Sequence, residues 1–175
     1  MSQRAKSTDR RTALAAPLLT ALLFLTLGAL LGDAAAQDAK SLVGTWTIVA
    51  SDTIDAAGKR TPTFGPNPRG SLIFAANGRY SLTLARTTLP KFASNNRTSG
   101  TPEENQAIVV GSLSHFGKYT ADGKAFTFNV ETSTFPNWDG TTQQRPYTVT
   151  GDELRYSTAA ASGGGRAELI WKRIK

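Results

Sequence analysis

The chain has 175 residues, 20 Lys and Arg against 13 Asp and Glu, a formal net charge of +7, one histidine and no cysteine. Without cysteine there are no disulfides, thiolate metal sites or thiol catalysis, and stability must come from packing alone. The basic residues are scattered apart from Lys172, Arg173 and Lys175, whereas a nucleic-acid binder concentrates them on a stripe or helix, so nucleic acid is not an expected partner.

Residues 1–36 read as a signal peptide. Arg4, Lys6, Arg10 and Arg11 form a basic start, Ala13 to Leu31 is an uncharged apolar run, and Ala34, Ala35 and Ala36 supply the small residues of a cleavage site. Cleavage after Ala36 predicts an exported protein, periplasmic or secreted, with no stable membrane anchor left. The remaining part, residues 37–175, carries 16 basic and 11 acidic residues, or +5. Its length suits one domain with a real core.

From Val43 the chain alternates apolar and polar residues between Gly or Asp turns, the period-2 pattern of half-buried strands. A first strand is predicted over Val43 to Ser51, followed by a loop from Thr61 to Gly70 whose three prolines lack ladder donors. Ser71 to Ala75 and Arg79 to Ala85 make a hairpin through Asn77-Gly78, a pair suited to a type I′ turn. Thr101-Pro102-Glu103-Glu104 has the cap, the first-turn proline and the capping-box acid of a helix start, giving one short helix to about Val110. That helix is either a lid at a barrel end or a surface connector. Strands then follow over Phe116 to Thr120, Lys124 to Ser133, Thr142 to Thr150, Glu153 to Thr158 and Ala167 to Ile174. Eight strands without βαβ spacing predict an all-β fold, an antiparallel up-and-down barrel.

An ordered set of motifs runs through nearly all of residues 37–175. It comprises Leu42-Val43-Gly44-Thr45-Trp46, Pro68-Arg69-Gly70-Ser71-Leu72-Ile73-Phe74, Asn77-Gly78-Arg79-Tyr80, Gly117-Lys118-Tyr119, Val130-Glu131-Thr132-Ser133, Pro136-Asn137-Trp138 and Gly151-Asp152-Glu153-Leu154. In these motifs the chain resembles the bacterial and fungal lipocalin-like domain proteins. The resemblance implies a calycin-type barrel in which the first-strand tryptophan, Trp46, closes the narrow end under a basic side chain of the last strand. Arg173 fits that place by parity with Leu169 and Trp171, with Lys172 as the alternative. The family often carries a histidine-rich segment before the Val-Glu motif, where this chain has Phe126-Thr127-Phe128-Asn129. A chemical role resting on those imidazoles is therefore not carried over.

For the site, Glu131 and Arg145 lie on consecutive predicted strands. If both point inward they form a partly buried ion pair, since an unpaired internal charge costs several kcal/mol. Such a pair could be structural, could anchor a ligand's carboxylate or carbonyl, or could serve an isomerisation or cyclisation. Trp138, Tyr147, Tyr80 and Tyr119, with Phe64 and Phe135, would supply aromatic walls or a rim. The single histidine, His115, has no triad partner at a suitable spacing and reads as a loop or surface residue. No Gly-rich loop opens a helix and no metal-ligand set is present, so no cofactor is expected. The expected function is non-catalytic binding of a small apolar or amphipathic molecule inside the barrel. A cofactor-free isomerase or cyclase, or a structural envelope protein with a filled barrel, are the alternatives, and the oligomeric state stays open.

Overall fold

In the computed structural model, which describes residues 39–175, a helical turn at residues 39–42 leads into nine antiparallel strands and one α-helix. The strands are β1 (Gly44–Ile54), β2 (Arg60–Pro62), β3 (Arg69–Phe74), β4 (Arg79–Ala85), β5 (Ser112–Ala121), β6 (Ala125–Ser133), β7 (Thr142–Thr150), β8 (Glu153–Thr158) and β9 (Arg166–Arg173); the helix is α1 (Pro102–Gly111). The predicted leader and its cleavage point lie outside the described residues.

Each strand from β3 to β9 pairs with its chain neighbour, and β1 joins β3 on one side and β9 on the other, closing the ring. Eight strands therefore form a closed up-and-down barrel, as the alternating pattern predicts. The ninth strand, β2, is a three-residue flap on the far half of β1, paired Asp52 to Pro62 through Ile54 to Arg60. It was not foreseen, because the prolines around it mask any strand pattern.

One end of the barrel is packed solid. Trp46, Trp171, Leu42, Leu72, Leu154 and Phe126 are fully buried there. The Trp46 indole N–H donates to Leu42 O at 2.8 Å, which ties the helical turn under the barrel. Arg173 Cζ sits 4.0 Å from the centre of the Trp46 ring, and its guanidinium donates to Val43 O and Ser41 O at 2.7 and 2.6 Å. A cation over an indole face is attractive, and here two backbone carbonyls hold it in place.

Two local features steer the side chains above this floor. The first is a bulge between β5 and β6. His115 pairs with Ser133 and Phe116 with Thr132, but Gly117 pairs with Val130, which leaves Glu131 as the extra residue. Glycine is required opposite it, since a Cβ on Gly117 would fall 2.0 Å from Asn129 O. The second is Pro146 in the middle of β7. Tyr147 donates its N–H to Lys124 O on the β6 side, so the N–H positions alternating with it, including that of Pro146, face β8. Proline has no N–H to give. The β7–β8 ladder accordingly runs from Thr150/Glu153 only to Tyr147/Tyr156 and stops one residue short of Pro146. Beyond that point the seam carries an outer groove of about 360 Å³.

The β3–β4 hairpin differs from expectation. Gly78 is left-handed at φ +78° but Asn77 is not, and Ala75 N bonds Arg79 O at 2.8 Å across three loop residues. This is a type I turn followed by a left-handed glycine rather than a type I′ turn. The α1 start matches its signals: Thr101 Oγ1 accepts from Glu104 N, and the Glu104 carboxylate accepts from Thr101 N.

Candidate functional site

The upper half of the barrel holds a small cavity beneath a wider mouth. Inward positions of successive strands alternate with outward ones, so β4 sends in Leu82 and Leu84, β5 His115, β6 Phe128, β7 Arg145, β8 Tyr156 and β9 Leu169. They surround a cavity of about 60 Å³, roughly the room of two waters. Trp138 reaches it from a 3-10 turn at Pro136–Trp138, held by Ser133 N donating to the Asp139 carboxylate at 2.6 Å. Above lies a mouth of about 500 Å³, bounded by Val109 and Val110 of α1 and by Phe135. The two volumes share Thr63, Phe64, Leu113, Ser162 and Gly163, which form the partition between them. Phe64 is the bulk of it. Its loop is pinned by Thr63 N on Ser51 O at 2.8 Å, and the Phe64 ring is 6% exposed.

The ionisable groups of the cavity come from β5, β7 and β8. His115 is 4% exposed, and its Nδ1 makes a 2.8 Å hydrogen bond with the Tyr80 hydroxyl beneath it. The Tyr80 ring stacks on Phe128 at 3.9 Å, and the His115 ring meets Trp138 edge-on at 5.6 Å. Burial, with the Arg145 charge adding to it, lowers the His115 pKa to about 4, so the imidazole is neutral at pH 7. With the phenol as donor, the ring keeps its proton on Nε2 and can donate it to a ligand. Burial likewise pushes the Tyr80 and Tyr156 phenols up and Arg145 down. Arg145 is 8% exposed and donates to Gln144 O at 3.1 Å and to the Gln143 side-chain oxygen.

Several site expectations change on this geometry. Glu131 does not meet Arg145. It is the outward bulge residue and takes a bidentate ion pair from Arg79 at 2.6 and 2.8 Å on the outer wall. Arg145 pairs across the strands with Phe126, an interior residue, and directly opposed residues share a face. His115 is an interior residue rather than a loop or surface one, because β5 begins at Ser112 and not at Phe116. Tyr119 packs into the floor, its hydroxyl donating to Ala75 O at 3.1 Å and its ring 4.7 Å from Phe74. Tyr147 shares the inward face with Arg145 and packs 5.6 Å from Phe126, but it borders the gap at the β7–β8 seam and does not line the cavity. Tyr80 lies under the cavity through His115, while Trp138 and Arg145 line it. Tyr156 and Gln143 were missed, although the alternation Leu154-Tyr156-Thr158 points Tyr156 inward.

A closed eight-stranded antiparallel barrel with a packed floor is an architecture that either fills its interior with side chains or holds one small ligand. The chain belongs to the lipocalin-like domain family, whose sequence profile matches residues 43–174. It is 33% identical over 106 residues to the 4'-hydroxy-3'-methoxypropiophenone carrier protein of Aspergillus oryzae (strain ATCC 42149 / RIB 40), a match covering 54% of this chain and 96% of the relative. Among solved structures it is similar to a lipocalin-like protein from Bacteroides uniformis ATCC 8492, at 15% identity and a TM-score of 0.43 over 77% of this chain and 99% of that one. An uncharacterized protein from Bacteroides eggerthii DSM 20697 is similar at 10% identity and a TM-score of 0.40, over 76% and 99% of the two chains.

Proposed function

We propose that this is an exported, non-catalytic carrier of a small, largely apolar aromatic molecule, held in the upper half of the barrel. The observation that carries the reading is the upper-half cavity, walled by Phe128, Trp138, Leu82 and Leu169 above a packed floor, together with the mouth over it. The carrier relative supports it, and the leader sequence of residues 1–36 supports export.

The inner cavity alone is too small, since ligand sites run to roughly 300–1,000 Å³. The mouth of about 500 Å³ on the other side of the partition supplies the room once Phe64 swings out. Trp138 and Phe128 then stack on the guest, while His115 and Arg145 offer N–H donors to its oxygen atoms. The test titrates 4'-hydroxy-3'-methoxypropiophenone into the protein and follows tryptophan fluorescence, in wild type and in Phe64→Ala. Binding is expected in the micromolar range, at least threefold faster in Phe64→Ala, with the compound recovered unchanged. No binding by either protein refutes the carrier reading. Recovery of an isomer or cyclised product refutes the non-catalytic part.

A further inference from the structure

Among the described residues that line the cavity, Arg145 is a cation and none is an anion. Arg145 is over nine-tenths buried, and among the described residues no carboxylate forms an ion pair with it, whereas Arg60, Arg79, Arg155 and Arg166 all find one at the surface. The inward-facing groups nearest its charge are two phenols and one imidazole, Tyr80, Tyr156 and His115, all neutral near pH 7. Its neighbours Gln143 and Gln144 accept two of the five guanidinium N–H donors. The rest have no protein acceptor among the described residues, and the side chain lines the cavity. A buried guanidinium without a counter-charge is costly in an empty site, and an anionic guest removes that cost.

We infer that the guest is an aromatic acid, carrying an anionic oxygen (a carboxylate, or the phenolate of an acidic phenol) that pairs with Arg145 at the bottom of the cavity. This rests on the carrier reading and narrows it. The ring of the guest lies upward between Trp138, Phe128 and Phe64, and its charge lies downward, where the guanidinium fork can bind two oxygens at once. Arg145, Gln143 and His115 then discriminate charged from neutral guests of equal shape.

Two pairs of probes, each an anion and its O-methylated neutral form, test this at fixed ionic strength. The first is 4-methoxybenzoate against its methyl ester at pH 7.5. The second is 4'-hydroxy-3'-methoxypropiophenone against its 4'-methyl ether at pH 8.5. Wild type is expected to bind the carboxylate, the phenolate or both roughly 10- to 100-fold more tightly than the neutral partner. Whichever pair shows the preference identifies the acid. Arg145→Gln should lose that factor for the anion and hold the neutral compound within about threefold. Arg145→Lys, which keeps the charge but not the fork, should keep part of the preference.

Equal affinity for charged and neutral members of both pairs in wild type, which needs no variant, overturns the inference and leaves the carrier reading standing. So do equal losses of both members in Arg145→Gln. Failure of all four compounds to bind wild type removes the carrier reading and the inference together.

Discussion

The one histidine of the chain makes its buried site measurable in isolation. His115 titrates near pH 4 in the folded protein, because burial and then the Arg145 charge oppose its protonation, and near pH 6.5 when unfolded. As pH falls below 6.5 the unfolded chain takes up a proton that the native barrel refuses until about pH 4. Stability is therefore complete above pH 6.5, falls between 6.5 and 4, and levels off below. Integrating the linkage from pH 7.5 to 5.0 gives a loss of about 2 kcal/mol, with a ceiling near 3 kcal/mol. For a domain of this size that is about 7 °C in Tm. Carboxylates do not confuse the window. Backbone N–H donors hold Glu104 and Asp122 below their usual range, and Lys175 and Arg60 do the same for Asp152 and Glu168, so their contributions fade only at lower pH. Urea unfolding at pH 7.5 and 5.0, followed by tryptophan fluorescence, reads the difference in wild type and in His115→Gln. The glutamine variant should lose most of the slope above pH 5. An unchanged slope, or a His115 Cε1–H proton resonance titrating near pH 6.5 in the folded protein, would refute the buried, neutral imidazole.

Two further substitutions probe the walls. Arg173→Ala removes the cation over Trp46 together with its bonds to Val43 O and Ser41 O, and should cost about 2–3 kcal/mol, read as a Tm lower by about 7–10 °C. Arg173→Lys should recover less than half of that, since an ammonium cannot fork between two carbonyls. Pro146→Val returns a ladder donor facing Ser157 at an exposed position and should stabilise by about 0.5–1 kcal/mol. In hydrogen exchange its new amide should be protected, and an unprotected amide there would mean that something other than the missing N–H holds the seam open.

The barrel was legible because its code is local. Alternation in Arg79 to Ala85 and Ala167 to Arg173, with turns at Asp122-Gly123 and Gly151-Asp152, fixes strand number and facing without reference to distant residues. The family resemblance called for a last-strand cation over Trp46, and parity with Leu169 and Trp171 selected Arg173, which covers that ring. The site was less legible because it depends on where parity breaks. The bulge at Glu131 shifts the facing of β6, so that Val130 and Ser133 point inward with two outward residues between them. A signal for this was available: Phe126, Phe128 and Val130 are too large and apolar to face water together, which leaves Glu131 outside. His115 was obscured by a misjudged strand start. Extending β5 back to Ser112 places Leu113, His115, Gly117 and Tyr119 on one face. Pro146 read as an ordinary strand member, although proline inside a strand marks an edge.

The division of the barrel follows from its lack of other staples. With no disulfide available, the floor concentrates the large rings: Trp46, Trp171, Phe74 and Phe126 are each at most 1% exposed, and a cation seals them from below. Fully burying such side chains contributes on the order of 2–3 kcal/mol each. That surplus allows the upper half to hold groups that weaken the empty fold: an uncompensated guanidinium, a desolvated imidazole and a gap where β7 leaves β8. Each of these three lies at the cavity or at the seam beside it. Natural barrels filled for stability alone would replace Arg145 and His115 by leucine or phenylalanine. Their concentration around one small void is the pattern expected where stability has been traded for recognition.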